Sequence, residues 1–123
     1  MVDSDSDAVP CTGAKSQRWT IINSNSNGPN TFTFKNVATG SCLSNSDWGE
    51  AVSLYRCADT DNQKWLIEGG KLKSVINSGK CLEASARFEF STFITVRSES
   101  CNDYKQGQQW RLNNVSNTFI IRK

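Results

Sequence analysis

The chain has 123 residues, which is enough for one domain with a hydrophobic core of its own. With 14 Lys and Arg against 12 Asp and Glu, the formal net charge is +2 and no basic block is available for phosphates, so we expect no nucleic acid partner. No apolar run approaches the roughly 18 residues of a membrane helix, so we expect no membrane insertion. The sequence has no histidine, which excludes Ser-His-Asp catalysis and His-ligated zinc, and we predict no enzymatic activity, no metal and no cofactor.

Three copies of a Gln-x-Trp motif divide the chain into similar units. Their tryptophans, Trp19, Trp65 and Trp110, are 46 and 45 residues apart, and each is followed by a short alternating or apolar stretch. A cysteine stands eight or nine residues before each tryptophan, and a Cys-Leu pair recurs at 42–43 and 81–82. Self-similarity at a fixed period of this length is the signature of a repeat fold.

The predicted elements within these units are short strands separated by polar turns. Strand-like runs at 19–22, 31–35, 73–76, 92–96 and 118–122 carry β-branched and aromatic residues. The segment 23–30 is rich in Asn and Ser, which predicts a long exposed turn. Since no segment has a sustained helical stripe, the pattern predicts an all-β array whose three units close on one another.

We predict a single domain over 1–123 whose first repeat is truncated. One repeat spans 31–67, a second spans 71–112, and a partial repeat combines 1–22 with 117–123. The C-terminal strand would then supply the opening strand that the partial repeat lacks.

The five cysteines fit the same units. Cys42 with Cys57 and Cys81 with Cys101 are equivalent pairs, so we predict that each pair joins the two arms of one hairpin. Cys11 takes the second place of a pair whose first member is missing, and as an odd thiol it could link two chains. Two disulfides predict a secreted, extracellular protein, and the alternative is a cytosolic protein with five reduced thiols.

The repeated Gln-x-Trp motif, with its Cys-Leu…Cys hairpins, resembles the ricin-type lectins and their β-trefoil fold over essentially the whole chain. The stretch 47–57 is similar to the cysteine-rich domain of mannose-receptor-type proteins. The resemblance implies a non-catalytic module that binds galactose or N-acetylgalactosamine-type glycans through one or two shallow hairpin sites. It also implies that the three motif tryptophans belong to the core.

In the family, a sugar site combines an acid after Cys-Leu, an aromatic residue two positions before the second cysteine, and Asn before the motif Gln. The repeat at 31–67 matches with Tyr55, Asn62 and Gln63, whereas Ser44 stands at the acid position. An aromatic ring would stack on the sugar, and the polar groups would read its hydroxyls.

Two further residues of that hairpin are candidates. Asp47 lies three residues beyond Ser44 and could replace the missing acid. Trp48, at the predicted hairpin tip, is either a second exposed aromatic or a lid on the cap.

The repeat at 71–112 keeps the acid and loses the rest of the pattern. Glu83 follows Cys-Leu and is the carbohydrate-binding candidate of this repeat. By counting, the aromatic place falls on Glu99, with Arg97 as the alternative, and the Asn place falls on Gly107. The first repeat has no hairpin that could carry a site.

The rival function is a protein-interaction or protease-inhibitor module that keeps the lectin motifs only for folding. Its candidate contacts are the segment 23–30 and the hairpin at 87–90, where two phenylalanines alternate with charges. Glycans or glycoproteins are the partners expected of the lectin, and an oligomer or a larger multidomain chain would supply the avidity that one site lacks.

Overall fold

The computed structural model of the chain describes residues 2, 12, 14–23, 31–45, 52–76, 79–86, 94–115 and 118–122, and these residues form ten strands and three one-turn 3₁₀ helices. The strands are β1 (Trp19–Asn23), β2 (Thr31–Asn36), β3 (Ser41–Asn45), β4 (Val52–Arg56), β5 (Trp65–Glu68), β6 (Lys71–Ser74), β7 (Lys80–Ala86), β8 (Ile94–Ser100), β9 (Arg111–Val115) and β10 (Thr118–Arg122). The 3₁₀ helices are Lys15–Gln17, Asp61–Gln63 and Gln106–Gln108. None of the helices in these ranges is long and apolar enough to cross a membrane. The all-β prediction is confirmed.

Six of the strands form the barrel wall in the order β6-β5-β2-β1-β10-β9. All neighbours are antiparallel, and the wall closes where the Trp110 amide donates to the Gly70 carbonyl at 2.8 Å. The two parts of the chain that are most distant in sequence are neighbours here. Trp19 in β1 pairs with Phe119 in β10, and the Val2 amide donates to the Ile121 carbonyl at 3.0 Å.

Two hairpins, β3–β4 and β7–β8, extend from the wall. Each is cross-linked at its base by a disulfide, Cys42–Cys57 in the first and Cys81–Cys101 in the second. The predicted pairing is therefore confirmed. Cys11 lies outside the described residues, and its fate as an odd thiol stays a prediction.

The three motif tryptophans are buried in the core, as the resemblance implied. Each indole Nε1–H donates to a backbone carbonyl. The acceptors are Val2 for Trp19 at 3.2 Å, Leu43 for Trp65 at 3.0 Å and Leu82 for Trp110 at 2.8 Å. The rings thus fill the barrel while their only polar atom is satisfied, which allows tryptophan to be fully buried.

A two-residue glycine turn connects β5 to β6. Gly69 and Gly70 have φ of +57° and +79°, values that residues with a side chain adopt only with strain. A Cβ at Gly70 would also lie 3.0 Å from the Gln109 side-chain oxygen. Glycine therefore suits both the tight turn and the closure of the barrel.

Candidate functional site

The glutamines of the three motifs hold the chain in the same way in every repeat. Each is buried, and its side-chain oxygen accepts the amide N–H of the residue that follows the second cysteine of its unit. The donors are Thr12 for Gln17, Ala58 for Gln63 and Asn102 for Gln108, each at 2.8 Å. In the two repeats with a hairpin, these bonds tie the end of the hairpin to the 3₁₀ helix that precedes the motif tryptophan.

Gln63, a predicted sugar contact, has both ends of its side-chain amide engaged with the backbone. Its oxygen accepts from Ala58, and its Nε2 donates to the Arg56 carbonyl at 2.9 Å. The structure therefore places Gln63 beneath the candidate site, where it positions the surrounding backbone.

Tyr55 is the exposed aromatic residue of the first hairpin. It pairs with Cys42, and Ser44 pairs with Ser53, so these four side chains share one face of the hairpin. Tyr55 is 60% exposed, and its ring is accessible to a ligand.

Ser44 and Asn62, the polar candidates of the same repeat, differ in exposure. Ser44 is buried, and its hydroxyl donates to the Cys42 carbonyl at 3.0 Å. Asn62 is half-buried in the 3₁₀ helix, where its side-chain oxygen accepts from the Thr60 hydroxyl. Asp47 and Trp48 lie outside the described residues.

In the second hairpin the predicted acid already has internal partners. Glu83 is buried, and its Oε1 accepts from Gln108 Nε2 at 3.0 Å. The Lys105 ammonium lies 3.2 Å from the same oxygen. A ligand hydroxyl would therefore have to compete with a charged amine for this carboxylate.

The place of Tyr55 in the second hairpin is held by a charged residue. Cys81 pairs with Glu99, as Cys42 pairs with Tyr55, so the strand register selects Glu99 over Arg97 for the aromatic position. Arg97 Nε lies 3.6 Å from Glu99 Oε1. This hairpin presents an ion pair where the first hairpin presents a ring.

Gly107, at the position of Asn62, has no room for a side chain. A Cβ there would lie 2.8 Å from the Ala84 carbonyl oxygen and 3.2 Å from Glu83 Cγ. The close backbone approach and the glutamate together exclude asparagine from this site. Among the described residues, the first repeat thus has the aromatic residue and the amide without the acid, and the second has the acid without the other two.

Sequence reasoning missed the partner that occupies the second site. Lys105 stands three residues before Gln108, where the other full repeat has Thr60. The sequence contained one signal for this pairing, because the repeat that carries the acid also carries a lysine three residues before its motif glutamine.

The chain is similar to known proteins in sequence pattern and in fold. The model of the ricin-type beta-trefoil lectin domain matches residues 30–123. ThreeFoil, a designed threefold-symmetric protein, is 25% identical, with a TM-score of 0.69 over 85% of this chain and 77% of its own. No curated protein matches the chain.

Two toxins share the fold at lower identity. A mosquitocidal holotoxin is 19% identical with a TM-score of 0.70, and the match covers 100% of this chain but 15% of the toxin chain. The cytolethal distending toxin from Actinobacillus actinomycetemcomitans is 18% identical with a TM-score of 0.61, over 88% of this chain and 67% of its own. The β-trefoil prediction is confirmed, and the family match over most of the chain shows that this protein belongs to the ricin-type β-trefoil lectin domain family.

Proposed function

We propose that this protein is a non-catalytic carbohydrate-binding module whose single site is the hairpin β3–β4. Galactose or N-acetylgalactosamine-type glycans are the proposed ligands. The exposed ring of Tyr55 is the observation that carries the proposal, and the same repeat supplies the half-buried amide of Asn62.

Tyr55 provides the apolar surface that such a sugar needs. The C–H face of a galactose-type ring is apolar and stacks on an aromatic ring, while nearby polar groups bind its hydroxyls. The amide of Asn62 follows Tyr55 closely in the chain and supplies such a group. Gln63 supports both from below through Ala58 and Arg56.

The acid of this site is proposed to be Asp47. The Ser44 hydroxyl is already used by the Cys42 carbonyl, so Ser44 is poorly suited to replace the family's carboxylate. Trp48 is proposed as a second stacking surface for the sugar.

The second hairpin is proposed to have lost sugar binding. Its carboxylate is paired with Lys105, its aromatic place carries Glu99, and its amide place is Gly107. A sugar hydroxyl at Glu83 Oε1 would have to compete with the Lys105 ammonium and with the Gln108 amide. One hydroxyl gains little from such a competition.

One shallow site of this kind binds a monosaccharide at about millimolar strength. Useful avidity would require an oligomer, for which Cys11 is a candidate link, or a longer chain with further domains. The two disulfides support an extracellular setting.

The test is glycan-array binding with competition by free galactose and N-acetylgalactosamine, comparing Tyr55→Ala with Tyr104→Ala. Tyr104 is a matched control because it is also a tyrosine, is 95% exposed and lies outside both hairpins. We expect Tyr55→Ala to lose binding while Tyr104→Ala keeps it, with unchanged circular dichroism for both. Equal binding by the two variants would refute the site.

A protein-interaction module is the second candidate, because neither described hairpin holds the family's complete set of groups. On this alternative, the array shows no ligand at any protein density, and the Tyr55→Ala variant still captures the same protein partner as the unaltered chain.

A further inference from the structure

An open groove lies between the barrel strands β1 and β2 and the Cys42–Cys57 disulfide. Its volume is about 360 Å³. It is lined by Ile22, Thr33, Cys42, Cys57, Ala58 and Asp59. The groove is thus built from the barrel wall and the base of the hairpin, whereas the proposed sugar site uses Tyr55 and Asn62.

The same place can be located in the next repeat from the strand register. Lys35 pairs with Cys42 and Lys73 pairs with Cys81, so the two strands β2 and β6 are equivalent. Two residues earlier, Thr33 therefore corresponds to Lys71. Their partners on the neighbouring strands, Ile22 and Glu68, correspond as well. Asp59 and Asp103 each stand two residues after the second cysteine of their unit.

At the equivalent position of the repeat at 71–112, the side chain of Lys71 fills the groove. The Lys71 ammonium pairs with the Asp103 carboxylate. The Lys71 side chain is only 17% exposed, although lysine side chains usually stay in water. This position of the fold therefore accommodates the alkyl chain of a lysine, with an aspartate at its mouth to receive the charge.

In the groove at Thr33, Asp59 corresponds to Asp103, but Thr33 stands where the other repeat has Lys71. Thr33 is too short to reach across the groove, and Asp59 is 88% exposed. Its Oδ1 lies 3.0 Å from Lys64 Nζ, which is also 3.7 Å from Asp61 Oδ1. Asp59 thus already has one internal lysine as a partner, and its exposed carboxylate has further lone pairs that can accept from a second ammonium.

We propose that this groove binds a lysine side chain of a protein partner, in the way that Lys71 fills the equivalent place. The methylene chain would pack on Ile22 and the disulfide, and the ammonium would pair with Asp59. The filled place is occupied by a lysine that a polypeptide carries, and for this reason we assign a protein partner. The groove shares no lining residue with the proposed sugar site, so glycan binding and lysine binding are tested by different variants.

The experiment is an NMR titration of ¹⁵N-labelled protein with Nα-acetyl-L-lysine methylamide, compared with the same compound acetylated at Nε. We expect amide shifts at Thr33, Ala58 and Asp59, with a Kd on the order of 1–10 mM for one side chain. The Nε-acetylated compound lacks the charge and should bind at least about tenfold more weakly. Equal shifts with both compounds, or none, overturn the proposal.

Two matched variants exchange the residues at the two equivalent positions, Thr33 and Lys71. Thr33→Lys should fill the groove from within and abolish the shifts at Ala58. Lys71→Thr should open the equivalent groove and produce new lysine-dependent shifts at Asn102 and Asp103. Asp59→Asn, which keeps the size of the side chain and removes its charge, provides a second readout if Thr33→Lys does not fold, and it should weaken binding at least about tenfold. Unchanged binding in Thr33→Lys or in Asp59→Asn overturns the proposal.

Discussion

Gln108 donates a hydrogen bond from Nε2 to the Glu83 carboxylate at 3.0 Å, and this bond is one of the differences between the two hairpin repeats. Gln63 occupies the same place in the repeat at 31–67, where Ser44 stands at the position of Glu83 and the Gln63 Nε2 donates to the Arg56 carbonyl. The motif glutamine therefore binds only backbone groups in the case of Gln63, whereas Gln108 also binds a buried acid.

We predict that Gln108→Ala destabilises the protein by about 1–2 kcal/mol more than Gln63→Ala, because it removes one additional bond to a charged acceptor. Urea unfolding of both variants measures the difference. A double-mutant cycle with Glu83→Ala should show a coupling of similar size. Equal losses for the two glutamines, with no coupling, would contradict the assigned role of this bond.

A second prediction concerns Asn45, which connects the first hairpin to two other strands. Its Nδ2 donates to Ser74 Oγ at 3.0 Å, and Ser98 Oγ donates to its Oδ1 at 2.7 Å. All three residues are buried. Asn45→Ala leaves both serine hydroxyls without this partner, and we expect a loss of about 2–4 kcal/mol in the free energy of unfolding.

Ser53→Ala is the control for Asn45→Ala, because Ser53 is half-buried on the other face of the same hairpin. We expect it to change the free energy of unfolding by less than about 0.5 kcal/mol. If urea unfolding gave similar values for both variants, the hydrogen bonds of Asn45 would not be the source of its effect.

The third prediction is a dependence of stability on pH through Asp103. The hydrogen bond and the charge of Lys71, with a smaller contribution from Lys73, lower the pKa of Asp103 below its usual 3.8, while desolvation opposes the shift. A carboxyl group with a lowered folded-state pKa stabilises the protein at pH values above its unfolded pKa. That stabilisation is lost as the pH falls from about 4 through the lowered value.

Thermal unfolding between pH 5 and pH 2 tests this dependence. The Tm of the unaltered chain should fall more steeply over this range than the Tm of Asp103→Asn or Lys71→Met, which both lack the pair. The effect is small because Asp103 is exposed and water screens the pair. Parallel curves of Tm against pH for all three proteins would show that the Lys71–Asp103 pair does not contribute to the pH dependence of stability.

The elements that depend on a recurring backbone partner could be predicted from the sequence. Each motif glutamine and tryptophan binds a backbone group at a fixed place in its unit, so the spacing of the residues reports the fold directly. The same holds for the two disulfides. In the first repeat, however, the carbonyl of Val2 accepts the Trp19 indole as Leu43 accepts that of Trp65, and no Cys-Leu pair marks it. A backbone acceptor needs no particular side chain, so sequence reasoning does not find it.

The state of the second hairpin could not be predicted for a different reason. The two cysteines of this hairpin are 20 residues apart, against 15 in the other, and the longer hairpin makes counting ambiguous. Only the pairing of Cys81 with Glu99 settles which residue replaces Tyr55. The partner of Glu83 also comes from Lys105, which lies beyond the hairpin, and spacing within the hairpin carries no information about it.

The close approach of Gly107 to the Ala84 carbonyl has a consequence for protein engineering of the second hairpin. Asparagine does not fit at position 107 while Ala84 keeps its backbone path and glutamate stands at position 83. The single substitution Gly107→Asn would therefore force the backbone to shift before it could supply a ligand contact. A laboratory attempt to build the family's sugar site here would have to redesign the backbone around Ala84 together with the side chains.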